Sequence, residues 1–184
     1  MSAQKSIANP GPLGLLGFGM TTILLNLHNA EIIPLSVVIV AMGFALGGLA
    51  QIIAGIFEFK AGNTFGATAF TAYGCFWWSL IFIWINPFGT VAADKLSMGF
   101  YLLLWCIFTF MMFIGTLKHN RITQVVFLSL ALLFLMLALG DFTHNELITR
   151  IAGYIGIFCG GSAIYSAVGQ VVNNEFGKTV IPLG

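Results

Sequence analysis

Few residues in this chain can do chemistry. Glu58, at the end of a long apolar run, is the one acid expected within the membrane thickness, and His28 stands near the far end of an earlier run. Both titrate, so both are candidates for carrying a proton, and Glu58 also suits a filter at a pathway mouth. The simpler readings are that Glu58 pairs with Lys60 or snorkels to the interface, and that His28 sits at the surface. Around them the apolar runs carry neutral polar groups: Asn9, Thr21, Thr22, Gln51, Asn63, Thr64, Thr68, Gln124 and Ser129. Each hydroxyl taken singly can bond a carbonyl one turn back in its own helix. Together they suit weak, repeated contacts with a small anion or neutral solute in transit. No Lys or Arg lies deep in any run, so tight capture of an anion is not expected.

Other chemistries lack their residues. There is no HExxH, GxSxG or Walker loop, and no cluster of metal ligands, so neither an enzyme nor a cofactor or metal protein is expected. Cys75, Cys106 and Cys159 are scattered through apolar runs and read as small core residues.

The elements that must position these groups follow from composition. Of 184 residues, 59% are hydrophobic and 7% charged, against about 25% charged in a soluble domain. Such a surface needs lipid as its solvent. The net charge of +1 offers nothing to nucleic acid. Six apolar stretches, at 12–28, 35–57, 64–86, 97–117, 122–140 and 149–172, fill the chain and leave no room for a second domain. They are too long for barrel strands, so the expected fold is an all-α integral membrane bundle of six transmembrane helices over residues 1–184. Lys5, Lys60, Lys118, Arg121 and Lys178 fall on one side, Lys95 and Arg150 on the other. That bias places both termini in the cytoplasm. No cleavable signal peptide is expected, because the first run is studded with Gly and Thr and ends in Asn26-Leu27-His28-Asn29.

The odd-numbered helices share a way of starting: Asn9-Pro10, Asn63-Thr64 and Asn120-Arg121. Asn is a favoured N-cap and Pro a favoured first residue. Counting inward, Phe18 comes nine residues after Asn9, Tyr73 ten after Asn63 and Leu132 twelve after Asn120. At 1.5 Å per residue that is roughly 14–18 Å, about half the hydrocarbon core. Three helices can therefore place bulky apolar groups near the midplane, as an apolar pore constriction would require, beneath helix N-termini that suit an anion. Plain helix packing explains the same residues without a pore.

Small and polar residues form stripes. Gly47, Gln51, Ala54, Gly55 and Glu58 share one face of helix two. Thr64, Thr68 and Thr71 lie on helix three, and Gln124, Ser129 and Leu132 on helix five. Ser162, Ser166, Gly169 and Asn173 mark helix six. Helix four has only Thr109 and Thr116, which suits a face turned to lipid or a neighbouring subunit. Gly43…Gly47 and Gly156…Gly160 allow close crossings, inside the chain or between copies.

The segments NPGPLGL (9–15), GFGMTT (17–22), AQIIAG (50–55), GNTFG (62–66) and FGKTVIPLG (176–184) resemble the acetate uptake transporter family, in its bacterial succinate–acetate branch. Gly11 stands where that family usually has Ala. The resemblance implies acetate and related short-chain carboxylates, succinate included, as substrates. It also implies an inner-membrane homo-hexamer with one pathway per protomer and a fold similar to that of proton-gated urea channels, and it supports Phe18, Tyr73 and Leu132 as the constriction. Channel or proton-coupled symport is left open by it. Two rivals remain: a channel for neutral solutes such as urea or amides, and a membrane scaffold whose polar stripes serve packing.

Overall fold

The computed structural model describes residues 7–87, 89 and 91–184, and every regular element among them is helical. Six helices form the bundle: α1 (Gly11–Asn29), α2 (Val37–Ala61), α3 (Thr64–Ile85), α4 (Lys95–Thr116), α5 (Arg121–Thr143) and α6 (Glu146–Phe176). Each expected span appears, with ends displaced by a few residues. Five of the six are long and apolar enough to cross a membrane. The exception, α1, carries Thr21, Thr22 and Asn26, all buried, which lower its mean hydropathy.

Capping begins the odd helices much as expected. Asn63 Oδ1 accepts from Gly66 N (3.1 Å) and Asn120 Oδ1 from Thr123 N (3.0 Å), each using a free first-turn N–H. At α1 the cap position is Pro10 rather than Asn9; the helix starts at Gly11, and Asn9 Oδ1 accepts from Gly11 N (2.9 Å). Because the helices alternate in direction, these three starts share one end of the bundle with Lys60, Lys118, Arg121 and Lys178. Lys95 and Arg150 lie at the other end, where Arg150 pairs with Glu31. Lys5 lies outside the described residues.

The middle of α2 departs from α-geometry. Gly43–Ala50 is π-helical, and the α-helix resumes at Gln51. Such a stretch bonds i→i+5, is rare, and is frequent at functional sites. Trp78 Nε1 donates to Phe44 O (3.2 Å), and the Thr21 hydroxyl, bonded to Gly17 O (2.8 Å), comes within 3.4 Å of Met42 O.

Glycines set how closely α1 is held. A Cβ on Gly19 would lie 2.7 Å from Gly160 O, and one on Gly160 would lie 2.6 Å from Gly19 O. These backbones touch, so the Gly156…Gly160 spacing serves the α1–α6 crossing within the chain. On the other side of Phe18, a Cβ on Gly17 would lie 2.6 Å from Leu46 O in the π-helical stretch. The residue between the two contacts is thereby fixed against both α2 and α6.

Helix α4 turns Phe100, Leu104, Ile107, Met111 and Ile114 outward while burying Thr109 and Thr116 completely. Cys159 is buried as expected, but Cys75 is exposed on the outer face. The last residues fold back as a strap. Asn173 Oδ1 accepts from Val180 N (2.7 Å) and Ile181 N (2.8 Å), and Leu183 O accepts from Ile122 N (3.1 Å) in the first turn of α5.

Candidate functional site

A vestibule of about 330 Å³ opens at the end where α1, α3 and α5 begin. Asn9, Glu58, Asn63, His119, Asn120, Thr123 and Gln170 supply its polar wall. Asn63 Nδ2 donates to Glu58 Oε2 (2.8 Å) and Asn9 Nδ2 to Gln170 Oε1 (3.0 Å). Glu58 is only 4% exposed. It makes no ion pair with Lys60, whose ammonium lies 4.9 Å from the centre of the Phe57 ring. His119 stands edge-on to Phe65, with ring centres 4.6 Å apart.

Deeper along the axis the wall becomes apolar. A cavity of about 20 Å³ is bounded by Leu15, Gln51, Phe70, Phe127 and three further residues: Phe18, Tyr73 and Leu130. Those three also bound a cavity of about 30 Å³ beyond them, lined by Thr22, Asn26, Phe76, Trp77 and Phe134. Phe18 and Tyr73 lie 6.2 Å apart, ring centre to ring centre. Tyr73 is fixed by its hydroxyl, which donates to Thr109 Oγ1 (2.9 Å), while Thr109 donates to Trp105 O (2.7 Å). One water needs about 10–15 Å³. The two cavities have room for about one to three waters each, so the axis is narrowed at Phe18, Tyr73 and Leu130.

Leu132 is expected beside Phe18 and Tyr73, but it lines neither inner cavity, and Leu130 lines both. Leu132 is 45% exposed, whereas Leu130 is 3% exposed. Two residues along an α-helix turn the side chain by about 200°, which carries it to the opposite face. Leu130 also comes ten residues after Asn120, the same count as Tyr73 after Asn63. Leu132 lines an outer apolar groove of about 830 Å³ between α4, α5 and α6 instead. Ser129 shares that groove, its hydroxyl donating to Val125 O (2.7 Å).

Other expected pathway residues divide in the same way. Asn9, Glu58 and Asn63 meet in the vestibule, Gln51 and Thr22 line the inner cavities, and Thr21 is buried against its own helix. Thr64 and Thr68 face outward, and Gln124 Nε2 donates to His119 O (3.1 Å) outside the vestibule lining. His28 is at the far end, with Nδ1 3.3 Å from Ile33 O, apart from both inner cavities. The sequence reading missed His119, Thr123 and Gln170. His119 follows the end of α4, Thr123 is in the first turn of α5 and Gln170 is in the last two turns of α6, and only the convergence of these segments brings them together. Leu130 was findable: Val126, Phe127, Leu130, Leu133 and Phe134 recur at helical spacing as one buried face.

With this geometry in place, comparison with known proteins identifies the group. The profile of the GPR1/FUN34/yaaH family matches residues 1–183. The chain belongs to that family. It is 55% identical over 183 residues to the succinate-acetate/proton symporter SatP of Escherichia coli, covering 98% of this chain and 97% of that protein. Acetate permease A of Emericella nidulans is 32% identical over 199 residues, covering 97% of this chain and 66% of that protein. Among solved structures, that of the bacterial acetate channel SatP superposes with a TM-score of 0.95 at 55% identity, covering 97% of this chain and 99% of the other. The likeness drawn from the five sequence motifs is borne out, as is the all-helical membrane fold. These relatives are named as transporters or as a channel.

Proposed function

We propose that this chain carries acetate and related short-chain carboxylates, succinate among them, through the axis of its bundle across the inner (plasma) membrane. One observation carries the reading: a polar vestibule and two small cavities lie in series along the axis, meeting at Phe18, Tyr73 and Leu130. That order suits a solute with one polar and one apolar end. The carboxyl group meets amides, hydroxyls and helix N-termini in the vestibule, and the methyl group passes the apolar ring. The names of the SatP relatives support acetate and succinate as cargo.

The vestibule end, with the larger share of basic residues, faces the cytoplasm by the positive-inside rule. The exposed apolar side of α4 and the groove at Leu132 are surfaces for lipid or neighbouring copies in a homo-hexamer. The chain works as a transporter rather than an enzyme. A second reading, a channel for urea or amides, is favoured by the inner cavities having no charged lining residue.

Labelled acetate entry into proteoliposomes, set against protein-free liposomes and against labelled urea, tests both. Protein-dependent acetate entry is expected. Urea entry without acetate entry would establish the second reading, and entry of neither would return the protein to a scaffold.

A further inference from the structure

Gln51 is 1% exposed, lines the cavity next to Phe18, Tyr73 and Leu130, and its Oε1 has no hydrogen-bond partner among the described residues. A buried polar atom left without a partner costs about 1–3 kcal/mol. The position is built: Gln51 is the first residue after the π-helical stretch, and its Cγ packs 3.5 Å from where a Cβ on Gly17 would be. A primary amide offers one N–H donor and one C=O acceptor side by side. Its matching partner is a neutral, planar group with the same pair reversed, a carboxylic acid or a carboxamide. A carboxylate answers only the donor and turns a lone pair against the amide oxygen.

We propose that Gln51 selects the protonated form of the carboxylic acid at the constriction, its carbonyl accepting the acid O–H and its N–H donating to the acid C=O. This rests on the permease reading above. The rest of the cavity agrees: its other lining residues are Leu15, Phe18, Ala69, Phe70, Tyr73, Val126, Phe127 and Leu130, among which a bare anion is costly. Titratable groups near the path are Tyr73, tied to Thr109, and Glu58 and His119 in the vestibule. The acid enters with its proton and loses it on the far side. One proton then moves with each carboxylate and no charge crosses, which gives the stoichiometry of a proton symporter without a proton-carrying side chain at the constriction.

The test uses proteoliposomes with labelled acetate and labelled acetamide, its uncharged isostere, after subtraction of protein-free leakage. Acetate flux at fixed total acetate is expected to fall about tenfold from pH 6 to pH 7, following the neutral acid, and to ignore a potential clamped with potassium and valinomycin. Acetamide flux is expected to be independent of pH. Gln51→Met, similar in size without donor or acceptor, is expected to lose at least about tenfold of both fluxes while melting no lower than the unmodified protein, since it removes an unmet acceptor. Gln51→Glu is expected to conduct acetate at pH 5 and to lose it toward pH 7 more steeply than the unmodified protein. Acetate flux that is flat with pH and driven by voltage would make the anion the cargo and overturn the inference, leaving the permease reading intact. Full acetate flux in a folded Gln51→Met would also overturn it. No protein-dependent acetate flux at any pH would overturn the permease reading itself.

Discussion

The two cavities that meet at the constriction are alike in size and opposite in polar state. On the vestibule side the polar group is Gln51, whose Oε1 is unengaged. On the far side Asn26 is fully occupied: its Nδ2 donates to Thr22 O (2.8 Å) and its Oδ1 accepts from Asn29 (3.0 Å). The same functional group, a buried primary amide, does different work on the two sides. Asn26 fills space left by Gly156 on α6 and spends its bonds on its own helix, so it is part of the scaffold. Gln51 is held by packing alone, which leaves its amide available to a solute. Burial therefore does not distinguish structural from functional polar groups here; the state of their hydrogen bonds does.

The most destructive way to break this comparison is to remove the boundary between the cavities. Phe18 is positioned because Gly17 and Gly19 let α2 and α6 approach on either side of it. Gly160→Val puts a branched side chain where a single Cβ already lies 2.6 Å from Gly19 O, a backbone atom that cannot step aside. Overpacking of this kind costs about 1–3 kcal/mol or more. The expected outcome is loss of most folded protein from a detergent extract, read by size-exclusion profile and thermal melt. A wild-type melt would mean that the α1–α6 crossing has room to open around an added side chain.

A narrower change sharpens the comparison by widening the boundary while leaving its supports in place. Leu130→Ala removes the α5 member of the ring shared by both cavities. We expect succinate flux to rise severalfold relative to acetate flux, with some loss of stability, since a buried Leu→Ala change costs about 2–5 kcal/mol. Leu132→Ala is the control, being on the outer groove, and should leave the flux ratio unchanged. If the ratio moved with Leu132 and not with Leu130, the pathway would run along the outer groove side of α5.

That pair of residues also marks how far the sequence could be read. Six helices, the buried face of α2 from Gly47 to Glu58, and the burial of Phe18 and Tyr73 beside each other were all legible, because apolar length, helical spacing and N-caps are local signals. Depth along α5 was legible too, but the direction of the side chain was not drawn from the buried repeat beside it. Thr68 illustrates the same failure. It was grouped with Thr71 on a polar face, yet the buried face of α3 runs through Ala67, Ala69, Tyr73, Gly74 and Trp77 and leaves Thr68 exposed. The vestibule was half legible. Its Asn caps lie in the sequence, whereas His119 and Gln170 join them only because α4 and α6 end where α1, α3 and α5 begin.

Asn63 joins scaffold and site, and it predicts a moderate effect. Its oxygen caps α3 at Gly66 N and its amide nitrogen donates to Glu58. Asn63→Ala should cost about 1 kcal/mol from the lost cap, with a further loss from leaving Glu58 without that donor. Asn63→Asp keeps the cap but sets a second carboxyl beside Glu58. A melting series of the two variants separates these contributions: Asp should restore stability only at pH low enough to protonate one of the pair. Equal melts for Asn63→Ala and the unmodified protein would show that the vestibule wall does not depend on this residue.

The smallest expected effect is at the opposite end of the bundle, where the cap of α4 carries a charge. Asp94 Oδ1 accepts from Ser97 N (2.9 Å) and Oδ2 from the Ser97 hydroxyl (2.6 Å). Those bonds hold its carboxyl below the usual value for Asp, the Ser97 side chain contributing most. A group whose acidity is raised by folding lends stability that is present above its unfolded pKa, about 3.9 for Asp, and that is lost as pH falls through the lower folded value. Asn is an equally good N-cap and does not titrate. The melting difference between the unmodified protein and Asp94→Asn should therefore be constant from neutral pH down to about pH 4 and then shift against the unmodified protein. The caps at the vestibule end, Asn63 and Asn120, have no such titration. A solute that arrives there as an acid meets helix starts whose charge does not change with pH, while the Asp94 cap, which does respond, is at the other end, apart from the vestibule and both inner cavities.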